Sequence, residues 1–362
     1  MQSFRNLRHH LGALRPDIVN ALVAVSEARG RQDGFLRQHP EDLESLRQVA
    51  LVQSAESSNA IEDIHAPRKR IEALVADRTT PKNRSEAQIA GYRFALDIIH
   101  GDAANIPFEP RYVQQLHGHM ARFTGDSTAG AWKKIDNRVE ERHADGTVKV
   151  RFEPVDSGDV DDAMAELHER LNAEVAAGAY NHLLLTAAYV FDFLVIHPFR
   201  DGNGRMSRLL TLWLLYLGNF EVGRYISLEK LIEESKEAYY DALGKSTVGW
   251  HEGRHDLNPW LQYFLGIVSA AYKEFEERTS VVGGRGAKRA RIERFIKTSL
   301  SDEFVVRDLR NASPGASDSY ITRILIDLKE QGVIERIGAG RGSRWRRLRA
   351  DFGGNGSGAE AD

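Results

Sequence analysis

From Glu41 onward, apolar residues recur at helical spacing. Leu43, Leu46, Val49, Ala50 and Val52 begin the pattern, which continues through Ala60 and Ile61. After Pro67 the same periodicity predicts helices near Arg68–Ala76, Arg84–His100 and Pro110–Ala121. Pro110 suits the first turn of its helix, where a missing N–H costs nothing. Further helices are expected over Asp159–Ala177, His182–Ile196, Gly204–Leu217, Leu228–Ser246 and Leu257–Arg278. The segment 130–154 departs from this pattern. Trp132–Val139 and Thr147–Phe152 read as two strands, joined by His143-Ala144-Asp145-Gly146 with Asp-Gly as the hairpin signal. The first 40 residues are polar and show no clear pattern.

Val281-Val282-Gly283-Gly284-Arg285-Gly286 marks a linker, placed at 281–287. A compact unit follows over 288–349. It runs from a helix at Lys288–Ser299 through Phe304–Leu309, a turn at Ser313-Pro314-Gly315, and a helix from Ser317 to Gln331. Val333–Ile337 and Arg344–Leu348 then flank a glycine-rich turn around Arg341. Helix–turn–helix followed by a ribbon is winged-helix order. Residues 350–362 are expected to be disordered. The fold class is therefore mainly α, with one hairpin and a small α+β winged helix. Its expected divisions are an N-terminal helical region at 1–66 and a helical core at 67–280.

Charge separates these parts. The chain of 362 residues carries a net charge of −3, yet residues 285–349 hold 16 Lys and Arg against 8 Asp and Glu. A basic module on an acidic body points to a different partner for each; for 288–349 DNA is favoured, with docking to another protein as the alternative. Its contacts would come from Ser319, Tyr320, Thr322 and Arg323 at the start of the second helix and from the ribbon arginines. There are no cysteines, which excludes disulfides, thiolate catalysis, zinc fingers and iron–sulfur ligation. The most apolar run, Leu183–Ile196, is interrupted by Asp192, and Leu209–Leu217 is too short to span a bilayer. The opening residues lack the apolar stretch of a secretory signal. A cytoplasmic protein without a membrane partner is expected.

The chemistry concentrates in His197-Pro198-Phe199-Arg200-Asp201-Gly202-Asn203-Gly204-Arg205-Met206-Ser207-Arg208. Pro198 ends one apolar helix, and a loop with two glycines opens another. A helix N-terminus behind a glycine loop offers free N–H groups and a favourable dipole to an anion such as phosphate. Arg205 and Arg208 share a face of the new helix and could grip a polyphosphate. Asp201 is placed to hold a magnesium ion bridging phosphate oxygens. His197, at the rim, has the pKa range of a general base.

HPFRDGNGRMSR resembles the signature of the Fic family, HPFx(D/E)GN(G/K)RxxR, at every constrained position, over a stretch of chain from about 45 to 280. The resemblance implies an all-α core with a β-hairpin flap, here at about 130–154, that aligns a target backbone by strand addition. It implies AMP transfer from ATP to a Ser, Thr or Tyr hydroxyl of a protein. His197 would then deprotonate the hydroxyl, and Asp201 would hold Mg2+. Asn203 and the Gly202–Arg205 backbone would form the anion hole, Arg205 would steady the pyrophosphate side, and Arg208 would take the γ-phosphate. Tyr239 and Tyr240 lie where relatives often place a nucleobase-facing aromatic, although core packing explains them equally well. Many relatives form dimers.

Upstream, Ser57-Ser58-Asn59-Ala60-Ile61-Glu62 is similar to the family's inhibitory pattern, (S/T)xxxE(G/N), with Ser58 and Glu62 one helical turn apart. The resemblance implies that Glu62 pairs with Arg208 and obstructs the γ-phosphate, as in class II members. Asp63 stands where the pattern has Gly or Asn. Three other functions remain open on the same residues: hydrolytic removal of AMP, transfer of a different nucleotide, and a nucleotide-sensing DNA-binding regulator.

Overall fold

The computed structural model describes residues 1–38, 40–142, 148–280, 287–298, 303–313, 316–338 and 344–348. The expected Asp-Gly turn, most of the linker, Pro314-Gly315, the glycine-rich tip with Arg341, and the tail lie outside the described residues. The chain begins with α1 (Gln2–Arg5), α2 (Leu7–Leu11), α3 (Pro16–Gln38), α4 (Pro40–Ala60), α5 (Arg68–Val75), α6 (Arg84–Asp102) and α7 (Pro110–Ala121). The hairpin β1 (Val139–Arg142) and β2 (Val148–Phe152) follows. Next come α8 (Val160–Ala177), α9 (His182–Ile196), α10 (Asn203–Leu217), α11 (Leu228–Glu234), α12 (Lys236–Thr247) and α13 (Asn258–Ser280). The C-terminal elements are α14 (Ala287–Thr298), β3 (Glu303–Phe304), α15 (Val306–Ala312), α16 (Asp318–Glu330), β4 (Ile334–Ile337) and β5 (Arg344–Arg347).

Two compact units divide the chain. One gathers Met1–Gly34 and Ala50–Phe275; the other gathers Phe35–Val49 and the described residues from Glu276 onward. The first unit is built around α9, which is apolar on every face and therefore buried on every face. It lies between α8 and α10, and α10 packs in turn on α6. Its one charged residue, Asp192, is fully buried and accepts hydrogen bonds from Ser3 Oγ (2.7 Å) and Trp250 Nε1 (2.7 Å). In the second unit, α14, α15 and α16 pack with a three-stranded antiparallel sheet in the order β3-β5-β4. Trp345, Ile321, Leu325 and Phe304 form its core.

Three expectations change. Most of residues 1–38 are helical, and Ile18, Leu22, Val25 and Ala28 are the buried stripe that signals it in α3. The helix expected over Leu228–Ser246 breaks at Ser235, whose hydroxyl donates to Leu231 O (2.7 Å) and meets Tyr263 Oη (2.9 Å). The first strand starts only at Val139, because residues 132–138 bond to the loop after α9 instead of to β2.

Histidines tie the helices together in their neutral form. His168 Nδ1 donates to Met164 O (2.8 Å), so its Nε2 accepts from Tyr189 Oη (3.0 Å) on α9. Burial pulls its pKa down to about 4. The unfolded chain takes up this proton near pH 6.5, while the folded chain resists until about pH 4. Stability should therefore fall as pH drops through that window, by on the order of 3 kcal/mol from His168 alone. Denaturant titrations at pH 7.0, 5.5 and 4.5 check this, and His168→Gln should flatten the dependence.

Candidate active site

Helix α9 ends at His197, in the left-handed conformation (φ 52°, ψ 57°), with its N–H bonded to Phe193 O at 2.9 Å. A side chain held in that region marks a constrained backbone. Pro198 prevents the helix from continuing. His197 Nδ1 donates to Leu194 O (3.2 Å), which leaves the Nε2 lone pair as the basic site. Burial lowers the pKa of His197 to about 4, so the ring is neutral at physiological pH.

The loop beyond it is held by its own residues and by a segment far upstream. Asn203 Oδ1 accepts the Phe199 N–H (2.9 Å), and Asn203 Nδ2 donates to Phe199 O (2.8 Å). These bonds use Asn203 Oδ1 and one of the two Nδ2 protons, so the side chain braces the loop backbone while its second amide proton and the backbone N–H remain as donors. The buried Phe199 ring stacks on His117, with centroids 3.8 Å apart and planes 6° apart. His117 Nδ1 accepts the Gly130 N–H (2.9 Å), so Nε2 carries the proton and donates to Asp201 O (3.1 Å). Lys133 N donates to Pro198 O (2.8 Å), while its Nζ donates to Asn137 Oδ1 (2.8 Å). Burial brings the Lys133 ammonium down to about 8. Sequence reasoning missed these supports. Nothing in the spacing marks His117, and Lys133 is concealed in a segment that reads as strand.

Gly202, at φ 81°, is the N-cap of α10, so the first N–H groups of that helix face the loop without intrahelical partners. A Cβ added to Gly204 would fall on Glu62 Oε1. The Glu62 carboxylate therefore fills the space over the helix N-terminus. Arg208, buried on α10, donates from Nε to Ser58 Oγ (2.8 Å) and from Nη2 to Ser58 O (2.8 Å) and Glu62 Oε1 (2.9 Å). Burial, the largest single influence, pulls its pKa down, but Glu62 together with Tyr239 and Tyr92 more than offsets it and the net shift is upward. Arg208 Nη1 and Arg205 Nε are buried without hydrogen-bond partners, donors left over for an anion. Asp201 is exposed. Its Oδ1 accepts the Gly202 N–H (2.7 Å), and its Oδ2 lies 3.5 Å from Arg205 Nη2. Among the described residues no three His, Asp or Glu gather to hold a metal. A hard divalent ion at Asp201 would take its other ligands from phosphate and water, as Mg2+ commonly does.

Ser54, Ser58 and Glu62 line one face at the end of α4. Ser54 Oγ donates to Glu229 Oε2 (2.7 Å), and Tyr92 Oη donates to Glu229 Oε1 (2.9 Å). Asp63, at φ 57°, donates its N–H to Ala60 O (3.0 Å), and Ile64 donates to Asn59 O (3.0 Å). This pair of bonds is a Schellman cap, whose left-handed residue is usually Gly and sometimes Asn. The preference for Gly or Asn after the glutamate is thus a backbone requirement. Asp63 meets it because a short polar side chain tolerates that conformation.

The two tyrosines diverge. Tyr239 is buried among Trp260 and Tyr263, at centroid distances of 5.9 and 5.7 Å. Tyr240 is partly exposed, with Arg151 of β2 lying 4.4 Å over its ring. In the C-terminal unit, Arg310 pairs with Asp318, and Arg346 with Glu303 and Glu335. Arg323 is exposed on α16, stacked over Tyr320.

Residues 107–215, which include the loop and both of its helices, match the Fic/DOC family. The chain carries a domain of that family. Its fold is similar over most of its length to a Fic family protein from Desulfovibrio desulfuricans G20 (TM-score 0.61, 21% identity, 96% of this chain and 98% of that one). A Fic domain containing signaling protein from Bacteroides thetaiotaomicron VPI-5482 matches with TM-score 0.58 at 19% identity, over 71% of this chain and 98% of that one. Fic-1 from C. elegans matches with TM-score 0.57 at 20% identity, over 72% and 71%.

The cap at residue 63 generates a test. Asp63→Gly should stabilise the protein or leave it unchanged. Asp63→Val should destabilise it by about 1–2 kcal/mol, the cost of a left-handed β-branched residue. Thermal melts of the two variants check this; equal melting temperatures would refute the backbone explanation.

Proposed function

We propose that this protein is an adenylyltransferase that moves AMP from ATP to a Ser, Thr or Tyr hydroxyl of a target protein, and that Glu62 restrains it. The observation that carries the reading is the buried Arg208, shared between Ser58 and Glu62 while a partnerless guanidinium N–H remains beside Gly204. An ordinary structural ion pair has no reason to stand over the open N-terminus of a helix.

The target hydroxyl oxygen attacks the α-phosphorus of ATP. Its proton passes to His197 Nε2, the lone pair left free by the Leu194 bond. The bond between the α-phosphorus and the bridging oxygen breaks, and pyrophosphate leaves on the side of Arg205. Backbone N–H groups at Gly202–Arg205 receive the charge that develops on the phosphate. Asp201 would hold Mg2+, which when bound draws negative charge off the phosphates. β1 and β2 form a two-stranded sheet. Among the described residues neither strand pairs with a third, which leaves edges on which a target backbone could lie.

Glu62 opposes this by charge and by volume. Its carboxylate competes with the γ-phosphate for Arg208, and it fills the space over Gly204. Glu62→Ala, Glu62→Gln and Glu62→Gly should all raise transfer of labelled AMP in the presence of magnesium. Arg208→Ala should not, because it removes the phosphate grip together with the anchor of the restraint. In the Glu62→Ala background, His197→Ala should lower transfer by on the order of 10²–10⁴. Mass spectrometry of the products measures the added AMP. Activation by glycine alone would mean that the helix end had loosened, not that charge competition had been lifted.

A further inference from the structure

Beside the loop, a cavity of about 720 Å³ opens between the start of α6 and the end of α7, and neither Glu62 nor His197 lines it. That volume lies within the range of small-molecule sites. Its cationic side chains are Lys82, Arg84, Arg200 and Arg205. The first three are exposed, and no salt bridge holds them among the described residues. The two acids of the lining are already engaged. Asp126 Oδ1 accepts from Thr128 N (2.8 Å) and Thr128 Oγ1 (2.7 Å), while Asp201 is held by Gly202 and Arg205. Glu86, on the first turn of α6, is paired with Arg70 at 2.7 Å, so its charge does not oppose an incoming anion.

The start of α6 adds the positive end of a 19-residue helix. Independently of that helix end, Arg205 is only 4% exposed, borders the cavity, and keeps Nε without a partner. Its guanidinium, charged at any physiological pH, adds a fixed positive charge to the cavity wall. The remaining wall is of a different kind. Met120, Ala87 and Phe123, the last 44% exposed, supply apolar surface, and the Gln88 amide adds a hydrogen-bonding group.

We infer that this cavity is a second ligand site, and that it takes a nucleoside phosphate: its phosphates on Lys82, Arg84, Arg200 and Arg205, its base on the apolar wall with the Gln88 amide. The site does not depend on the AMP-transfer reading. It shares only the loop residues Asp201 and Arg205 with the cradle over Gly204, which makes its occupancy felt by the catalytic loop.

ADP is the probe, titrated calorimetrically into the full chain carrying Glu62→Ala, which clears the cradle. Two ADP molecules per chain are expected. Adding Lys82→Ala, Arg84→Ala and Arg200→Ala together should weaken one of them by roughly tenfold or more, since charge-assisted hydrogen bonds are the strong ones. The other should be unaffected. Adding Gly204→Val instead fills the cradle and should abolish only that second molecule. These three side chains are exposed, and a thermal melt confirms that the variant folds. A single ADP that the triple variant leaves within twofold overturns the proposal. A single ADP lost to either change also overturns it, because the two would then be one continuous site. A single ADP weakened by the triple variant but kept with Gly204→Val supports the cavity while refuting nucleotide binding at the cradle.

Discussion

Arg208 carries its charge into an interior that leaves only 3% of its side chain exposed. A buried guanidinium is tolerable only when its donors are met, and removing one partner of such a pair typically costs about 3–5 kcal/mol. Glu62 is one-third exposed, so the penalty here is smaller, but the constraint still organises the site. Two of the three nitrogens are answered from the end of α4, by Ser58 and Glu62. The helix that completes the arginine is therefore the helix that covers the cradle. Its hold extends one turn back, where Ser54 reaches the buried Glu229 that also receives Tyr92. The proposed restraint and the satisfaction of Arg208 rest on the same side chains, so relieving one would disturb the other.

His197, the proposed base, depends on a second set of constraints. A base that must be neutral needs one nitrogen committed and the other free. The Leu194 carbonyl commits Nδ1, and burial keeps the second proton off. Burial has a cost for the base, because a ring that resists protonation is also a weaker acceptor. The loop beside it is kept in place by His117, Asn203 and Lys133, each bonded to its backbone. Because His117 accepts from Gly130 at one nitrogen and donates to Asp201 at the other, its neutral form is part of the scaffold. His117 and His168 have both ring nitrogens committed to hydrogen bonds, whereas His197 commits only Nδ1 among the described residues.

Where structure is local, the sequence shows it. Helices α7 and α9 begin and end where the periodicity and prolines place them, because a helix is written in contacts three and four residues apart. The chemistry of the site is legible for the same reason: His197, Asp201, Gly204, Arg205 and Arg208 fall in one short stretch between two apolar helices. Even Ser58 and Glu62 are readable, since their spacing is helical. The break at Ser235 was not, because the hydroxyl that stabilises it draws on Tyr263, remote in sequence. The segment 132–138 has strand-like residues, yet its partner is a loop more than sixty residues away.

The sequence by itself thus determined the helical class, most of the order of elements after residue 40 and the loop from His197 to Arg208, since each is set by neighbours along the chain. Tertiary structure decided the rest. It turned Asn203 inward to brace Phe199, buried Tyr239 while leaving Tyr240 beside the flap, and made His117 and Lys133 supports of the loop. It also set the Glu62 carboxylate over Gly204 and opened a cationic cavity between the loop and the start of α6. These outcomes depend on which surfaces meet across long stretches of chain. Burial and hydrogen-bond satisfaction choose among those meetings, and neither is visible until the helices have packed.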